Sequence, residues 1–422
     1  MTHPFIGSLD AWLRRQESLN PKAVELGLDR VRRVAARLDL LRDSRYTLTV
    51  AGTNGKGSSA TLAAGIYRAA GYHVGLYTSP HVLRYNERVQ IDGRPVSDAA
   101  LCTAFDAIEA VRGDDLLTYF EFGTLAALWL FRKQRVDVQV LEVGLGGRLD
   151  AVNIIDADVA LLTNVGLDHQ DWLGDSREAI GREKAGIFRA RRPVVVADPE
   201  PPQSVIDAAT MLDAPRLQLG RDFNYGIGDD GRWTWIGKAE HWTQLPAPGL
   251  SGPMQYRNAA GVFTAIDAGQ HRRPVRRDAF ERALPRLQSL RGRGERYRGV
   301  LLDVAHNAEA AEVFAQLLGA QAPARRALVL GMLADKPVEA VARALVSVVD
   351  RFLVIGLPGP RGLTAAALQT RLRDAGISAQ TCDNIGAALR CAREHAGAAG
   401  SVAVTGSFLT VAAAINELDA HG

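Results

Sequence analysis

Gly52-Thr53-Asn54-Gly55-Lys56-Gly57-Ser58 joins two stretches of opposite character. Before it, Tyr46 to Val50 alternates with β-branched residues, the period of a strand. After it, Ser58 to Ala70 is helix-forming in composition and free of proline. A strand, a glycine-rich turn and a helix in that order make a loop of phosphate size, because backbone N–H groups and the positive end of the helix converge on one point. Lys56 adds a mobile positive charge there, and Ser58 a hydroxyl able to meet a metal ion. The spacing departs from the common GxxxxGK[ST] loop, since Gly57 stands between the lysine and the hydroxyl.

Outward from this loop the pattern continues. A strand is expected at His73 to Thr78, a helix at Phe122 to Lys133, and strands at Val136 to Val143 and Ala157 to Thr163. Strands alternating with helices imply a parallel sheet covered on both faces. Around Tyr225 to Trp242 aromatic residues alternate across Asp229-Asp230-Gly231, which reads as a hairpin. From Val300 the alternation restarts, with strands at Val300 to Val304, Ala327 to Leu330, Phe352 to Ile355 and Val402 to Thr405. Helices are expected at Glu309 to Leu318, Val338 to Val348, Ala365 to Asp374 and Ile385 to His395. The fold class is therefore α/β: a P-loop-type parallel-sheet domain with a small β-hairpin region over 1–285, a linker over 286–298, and a Rossmann-like α/β domain over 299–422.

Composition sets outer limits. A chain of 422 residues exceeds one ordinary core and suggests about two to three domains. With 47% apolar and 23% charged residues it reads as globular, neither disordered nor fibrous. Its longest apolar runs, such as Ala126 to Phe131 and the Ser347-interrupted Ala344 to Val349, fall short of the ~18 to 20 residues that cross a bilayer. Met1 to Leu13 carries Asp10 and lacks the order of a secretory leader, so a cytoplasmic protein without a membrane partner is expected. Cys102, Cys382 and Cys391 have no paired spacing, which argues against a disulfide framework or zinc site. The formal charge of +3 is small, although arginines gather between Arg272 and Arg298. That gathering reads as an exposed linker meeting phosphates in preference to a nucleic-acid face.

The loop resembles that of the Mur ligase superfamily, whose members activate a carboxylate with ATP and couple it to an amine. Five further segments resemble the folylpolyglutamate synthase branch: Tyr77-Thr78-Ser79-Pro80-His81 with Asn86-Glu87-Arg88-Val89, Leu145-Gly146-Gly147-Arg148-Leu149-Asp150, Glu183-Lys184-Ala185-Gly186-Ile187, and Asp303-Val304-Ala305-His306-Asn307. The segments follow the family's order along the chain. The resemblance implies an ATP-dependent ligase, with ATP held by Thr53, Asn54, Gly55, Lys56, Gly57, Ser58, Asn258, Arg293 and Asp303; a monomer is the separate expectation. Asn258 and Asp303 read otherwise as cap or turn residues. The family's usual Pro-Gly-Arg is replaced by Arg291-Gly292-Arg293; Arg293 is aligned with the nucleotide arginine, and Arg291 competes for the role.

Phosphates recruit Mg²⁺, which favours oxygen ligands and retained water, so Ser58, Ser79 and Glu142 suit it chemically. Taken alone, Glu142 reads equally as a carboxylate in a salt bridge, and His169 as an ordinary surface or core histidine. The resemblance assigns His169 to metal and makes Lys184 a carbamylated lysine that helps hold a second magnesium ion. By composition alone Lys184 is a solvated helix lysine. Thr118, Tyr119, Phe120 and Glu121 open a helix and offer rings to a flat heterocycle, with core packing as the equal reading for the two aromatics. The resemblance makes these residues, Thr78, Leu149, Asp150 and Ala151 a pterin site. His306 is matched to a catalytic position, and Ser407, like it, to the surroundings of incoming glutamate.

The expected reaction joins L-glutamate to dihydropteroate, and to reduced folates, through an acyl phosphate formed from ATP. The second domain is expected to take part in glutamate binding and closure. A synthase that only elongates, a related ligase for another acid, a kinase or motor-type ATPase sharing the loop, and a nucleic-acid module using the arginines remain as rivals. ADP release that depends on glutamate separates the ligases from the ATPases.

Overall fold

The computed structural model describes residues 7–20, 25–42, 45–249, 252–286, 291–320 and 325–421. Residues 1–6 of the expected non-leader start and residues 287–290 of the expected linker lie outside them. The chain divides into two compact units, Met1–Pro248 with Tyr256–Leu287, and Gly249–Gln255 with Gln288–Gly422. No helix among the described residues is long and apolar enough to cross a membrane.

The first unit begins with α1 (Leu9–Leu19) and α2 (Asp29–Arg37), followed by β1 (Tyr46–Ala51), α3 (Lys56–Ala69), β2 (Val74–Tyr77), β3 (Val89–Ile91) and β4 (Arg94–Pro95). Next come α4 (Asp98–Arg112), α5 (Tyr119–Lys133), β5 (Val138–Glu142), β6 (Val159–Leu162), α6 (Gln170–Leu173), α7 (Arg177–Ala185), β7 (Val194–Val196), α8 (Gln203–Met211) and β8 (Arg216–Gln218). These strands form one sheet in the order β4-β3-β2-β5-β1-β6-β7-β8. From β2 to β8 every pairing is parallel, while β3 and β4 append an antiparallel edge. Every residue of β1, β5, β6 and β7 is buried. Successive strand residues face opposite ways, so both faces are covered, as the near-continuous valine and leucine runs predict. Helix starts follow local chemistry: Ser97 caps α4, Thr118 caps α5 and Ser176 caps α7, each accepting from a backbone N–H three residues on.

The expected hairpin is a three-stranded antiparallel sheet of β9 (Asn224–Ile227), β10 (Trp233–Ile236) and β11 (His241–Leu245). Its first turn runs through Asp229-Asp230-Gly231, with Gly231 at positive φ. The third strand escaped the alternation because only Trp242 and Leu245 are buried in it and the register shifts opposite Trp233 and Trp235. The sheet's indoles pack on α9 (Met254–Ala268) and α10 (Arg277–Ala283): Trp235 to Trp242 is 5.0 Å between centroids, Trp242 to Phe280 4.9 Å and Phe263 to Phe280 4.5 Å.

The second unit contains β12 (Arg293–Tyr297), β13 (Val300–Asp303), α11 (Ala308–Gly319), β14 (Arg326–Leu330), α12 (Val338–Leu345) and β15 (Arg351–Val354). It ends with α13 (Ala365–Asp374), β16 (Ala379–Thr381), α14 (Ile385–Ala396), β17 (Ser401–Thr405) and α15 (Phe408–His421). The sheet order is β12-β13-β17-β14-β15-β16, parallel except for β12. Arginine-rich residues 293–297, expected in the linker, thus form an edge strand. Glu295 is the one buried residue of that strand, and an arginine-rich edge reads as linker when its pairing is unknown. Leu301, Phe314, Leu328, Leu330, Val354 and Leu368 belong to this unit's own core.

Phe263 is wholly buried among Trp233, Trp235, Trp242 and Phe280. Phe263→Ala is expected to lower the unfolding free energy by ~3–5 kcal/mol through lost transfer energy and a residual cavity, read as an earlier midpoint in denaturant at unchanged slope.

Candidate active site

Four parallel strands end side by side beneath the phosphate-sized loop. Val50 pairs with Glu142, Tyr77 with Leu141, and Ala51 with Leu162, so the chain leaves β2, β5, β1 and β6 at one level. Ligands in open α/β sheets bind at such carboxyl ends. The loop is held mainly from β6: Thr53 N–H donates to the Asn164 carbonyl at 3.0 Å and Asn54 N–H to the Asn164 side chain at 2.9 Å. The Thr53 hydroxyl accepts from Gly166 N–H at 2.8 Å and donates to its carbonyl at 3.1 Å. Gly55 takes φ +80° immediately before α3, and a Cβ there would stand 2.6 Å from Asn258 Oδ1. Asn258 is buried inside α9, so it is neither the cap nor the turn residue its type suggested.

Two lysines share one acceptor. Lys56 Nζ donates to the carbonyls of Gly52 and Thr53 at 2.9 and 3.1 Å, and buried Lys184 donates to Gly52 at 2.9 Å. Lys56 therefore folds back on its own loop. Burial first, and then repulsion from Lys56, lower Lys184 to about 7, against opposing pulls from Asp168 and Asp150. A solvated lysine, the plain reading of its helix, is thus excluded. Its charged form is disfavoured in the fold, a cost present in full below pH about 7 and relieved as pH rises toward the unfolded value of 10.5.

Lys184 is brought in by close backbone packing. Arg148 N–H donates to the Glu183 carbonyl at 2.8 Å, and a Cβ on Gly147 would lie 2.8 Å from the carbonyls of both Glu183 and Lys184. Glycine at 147 lets the Leu145–Asp150 loop lie directly on α7. Asp150 closes that loop by accepting from Leu145 and Val152 N–H at 2.9 and 3.0 Å; burial raises its carboxyl to about 7. Leu149 is half-buried and Ala151 buried beside it.

Glu142 is buried and accepts from Ser79 N–H at 2.9 Å. Ser58 is buried in the first turn of α3, which Gly57 also joins, and half-buried Thr78 donates its N–H to the Arg88 carbonyl. His169 sits in the left-handed region before α6 with its N–H on Asp168 Oδ1 at 2.8 Å. No group of three or more His, Cys, Asp and Glu suited to a metal occurs among the described residues. The donor set still fits a hard divalent ion by its chemistry, one buried carboxylate with hydroxyls, where phosphate and water complete the shell.

Tyr119 and Phe120 are half-buried, in a run of rings: Tyr119 meets Tyr85 at 5.5 Å and Phe120 meets Tyr77 at 5.9 Å. Arg88 lies over Tyr85 and Tyr119 at 5.3 and 5.4 Å and donates to His81 at 2.8 Å. Burial, then Arg88, lower His81 to about 4, keeping it neutral at ordinary pH. Thr118 and Glu121 differ from the expected substrate groups: each caps the other across the first turn of α5, and Glu121 also accepts from Arg30 at 2.8 Å.

In the second unit, Arg293 pairs in register with Asp303, while Arg291 is engaged by Glu295 at 3.1 Å. Asp303 accepts from Gly294 and Ala305 N–H, both at 2.8 Å, and burial raises it to about 6 despite Arg293. His306 Nδ1 lies 2.9 Å from the Val304 carbonyl. Ser407 is buried, with its hydroxyl 2.7 Å from that of Thr410 and accepting from Thr410 N–H at the start of α15.

Residues 50–211 match the Mur ligase middle domain, and residues 285–408 the Mur ligase glutamate ligase domain. The dihydrofolate synthase/folylpolyglutamate synthase of Escherichia coli K12 is 43% identical over 419 residues, covering 98% of this chain and 96% of its own. The chain belongs to the dihydrofolate synthase/folylpolyglutamate synthase family of Mur ligases. Within that family, the Escherichia coli FolC structure in complex with DHPP and ADP superposes at TM-score 0.94, with 42% identity and 99% of both chains covered. A bifunctional folylpolyglutamate synthase/dihydrofolate synthase with Mn, AMPPNP and L-glutamate bound superposes at 0.91, with 41% identity over 99% of this chain and 100% of its own.

Several residues that shape this arrangement were not singled out by sequence. Asn164, the loop's anchor, and Asp168 follow an apolar strand, and polar residues at such an end were the available signal. Glu87, quoted as motif alone, accepts from the N–H groups of Val82, Leu83 and Arg84 at 2.7–2.9 Å and so shapes the turn that carries His81. Gly55→Ala is expected to combine left-handed strain of ~1–2 kcal/mol with the clash on Asn258, weakening nucleotide binding at least about tenfold. Calorimetric titration with ATP would measure it, and denaturant unfolding of Gly55→Ala with and without Asn258→Ala should show the clash portion as recovered stability.

Proposed function

We propose that this chain catalyses ATP- and divalent-cation-dependent ligation of L-glutamate to dihydropteroate, giving dihydrofolate, and to reduced folates, giving polyglutamates. The observation that carries this reading is the convergence of a phosphate-sized loop, buried Lys184 and buried Glu142 at the ends of adjacent strands. The end-to-end likeness to enzymes of that name supports it. A carboxylate of the folate attacks the γ-phosphorus of ATP, releasing ADP and leaving an acyl phosphate. The amine of glutamate then attacks the acyl carbon, loses its proton, and expels phosphate.

The loop N–H groups and Lys56 hold the phosphates, with Thr53, Asn54, Gly55, Gly57, Ser58 and Asn258 around them. Lys56 is assigned to leave its carbonyl acceptors when the nucleotide binds. Ser58, Ser79 and Glu142 would hold one magnesium ion, and His169 with carbamylated Lys184 a second. Such ions neutralise charge on the transferring phosphoryl group. Carbamylation suits Lys184 because an amine lowered to about 7 is substantially neutral near neutral pH, and only the neutral nitrogen attacks CO₂. Tyr119, Phe120, Thr78, Leu149, Asp150 and Ala151 are assigned to the pterin, whereas Thr118 and Glu121 act by positioning the helix that carries the rings. Arg293 and Asp303 are assigned to nucleotide, and His306 and Ser407 to glutamate. We take the enzyme to work as a cytoplasmic monomer on small molecules, without nucleic-acid or membrane partners.

Purified protein with ATP, Mg²⁺ and glutamate should form both products, detected by mass, from dihydropteroate and from tetrahydrofolate. Product from one alone reduces the reading to that single activity. Lys56→Ala should lower turnover by ~10²- to 10³-fold, the scale of one preorganised charge contact, with circular dichroism confirming that the chain remains folded.

Labelled bicarbonate should give a carbamate signal that grows as pH rises through about 7, and Lys184→Arg should lose both signal and turnover. Full activity of Lys184→Arg would show that a plain cation suffices.

A further inference from the structure

Arg88 ends the short helical turn Tyr85–Arg88 that precedes β3, and only 8% of it is exposed. A guanidinium keeps its charge in a protein, and a buried charge ordinarily has an acidic partner. Among the described residues no carboxylate pairs with this one. Its neighbour Glu87 spends both oxygens on the N–H groups of Val82, Leu83 and Arg84, and Asp98 takes Arg84 and Asn86 instead. Arg88 is held by one edge and one face. Its Nε donates to His81 Nδ1 at 2.8 Å, and its guanidinium lies over the rings of Tyr85 and Tyr119 at 5.3 and 5.4 Å. The outer fork, Nη1 and Nη2, is left without an acceptor among the described residues, on a side chain already fixed in place.

The backbone sets this fork close to the reacting groups. The Arg88 carbonyl accepts the N–H of Thr78 at 2.9 Å, and the next N–H, that of Ser79, donates to Glu142 at 2.9 Å. Arg88 thus joins the ring of Tyr119, assigned to the pterin, to the strand end whose neighbour is the carboxylate assigned to metal. We propose that the outer fork of Arg88 receives the spectator carboxylate of a folate's glutamate tail, which makes Arg88 a specificity-determining residue for elongation. The inference rests on the proposed folate reaction and deepens it. Dihydropteroate brings a single carboxylate, and that one reacts. Tetrahydrofolate brings two on its glutamate, so one reacts with ATP while the other stays ionised. Left unpaired beside the rings, that second charge would bear the full cost of leaving water; opposite a planar guanidinium it gains two parallel N–H···O bonds.

The unsubstituted protein, Arg88→Gln and Arg88→Lys are titrated calorimetrically with tetrahydrofolate and with tetrahydropteroate, which differ only in the glutamate. Arg88→Gln is expected to weaken tetrahydrofolate binding by about 10- to 10²-fold, the scale of a hydrogen bond between charged groups, and tetrahydropteroate binding by far less. Arg88→Lys keeps the charge but loses the fork and should fall between. In turnover, KM for tetrahydrofolate should rise more than KM for dihydropteroate. Circular dichroism checks folding, and where Arg88→Gln is unfolded the same comparison in Arg88→Lys decides. A loss shared equally by the two ligands would reduce Arg88 to a support for Tyr85, Tyr119 and His81 and overturn the proposal, as would unchanged tetrahydrofolate binding in a folded variant. Unsubstituted protein that binds neither ligand would sink the folate reading itself, so the two failures are told apart.

Discussion

Parallel strand pairing at one common level is the constraint on which the rest of the first unit depends. In a parallel pair the hydrogen-bond ladder fixes how far each strand runs relative to its neighbour. With Val50 opposite Glu142 and Ala51 opposite Leu162, the residues after β2, β5, β1 and β6 have no choice but to emerge together. Both faces of those strands are covered, so a one-residue slip would exchange buried side chains throughout the centre of the sheet. The level of the loop, of Glu142 and of Asn164 is therefore held by the core itself.

On that platform the electrostatics follow from burial. Gly52's carbonyl accepts hydrogen bonds from two lysines, and a second cation near Lys184 makes its own charge harder to keep. Asp150, buried nearby, is pushed the opposite way to a similar value. Neighbouring acid and base groups whose values have been drawn toward neutrality are a common mark of sites built for chemistry, and a costly arrangement for mere stability. The glycine at 147 belongs to the same economy of space: it brings the backbone of one motif against α7, and so delivers Lys184 into a place no solvated helix face could reach.

Polar residues that looked alike in the sequence separate into two kinds of work. Thr118, Glu121 and Glu87 spend their hydrogen bonds on helix starts and turns, holding Tyr119, Phe120 and His81 in place. A cap satisfies backbone groups that would otherwise be left open at a buried helix end, so such residues can be indispensable to a site without touching its ligand. Asp303 and Arg293 show the complementary case, an edge-strand pair whose register sets a half-buried carboxylate beside a guanidinium.

The sequence by itself determined the α/β class, the division into two series of strands and helices, and the phosphate-sized loop between β1 and α3. These are local matters: period-two apolar runs, proline-free helical stretches, and glycines placed where a strand turns into a helix. The order of motifs also carried the family. Only the tertiary structure decided that Lys184 is buried against Gly52, that Asn258 lies in a helix beside Gly55, that residues 293–297 are an edge strand, and that Thr118 and Glu121 cap each other. The separation in sequence explains the difference. Lys184 and Gly52 are 132 positions apart, and nothing in the residues flanking Lys184 reveals what they pack against. Burial, charge and register are properties of the assembled sheet, because each depends on partners that local composition does not name.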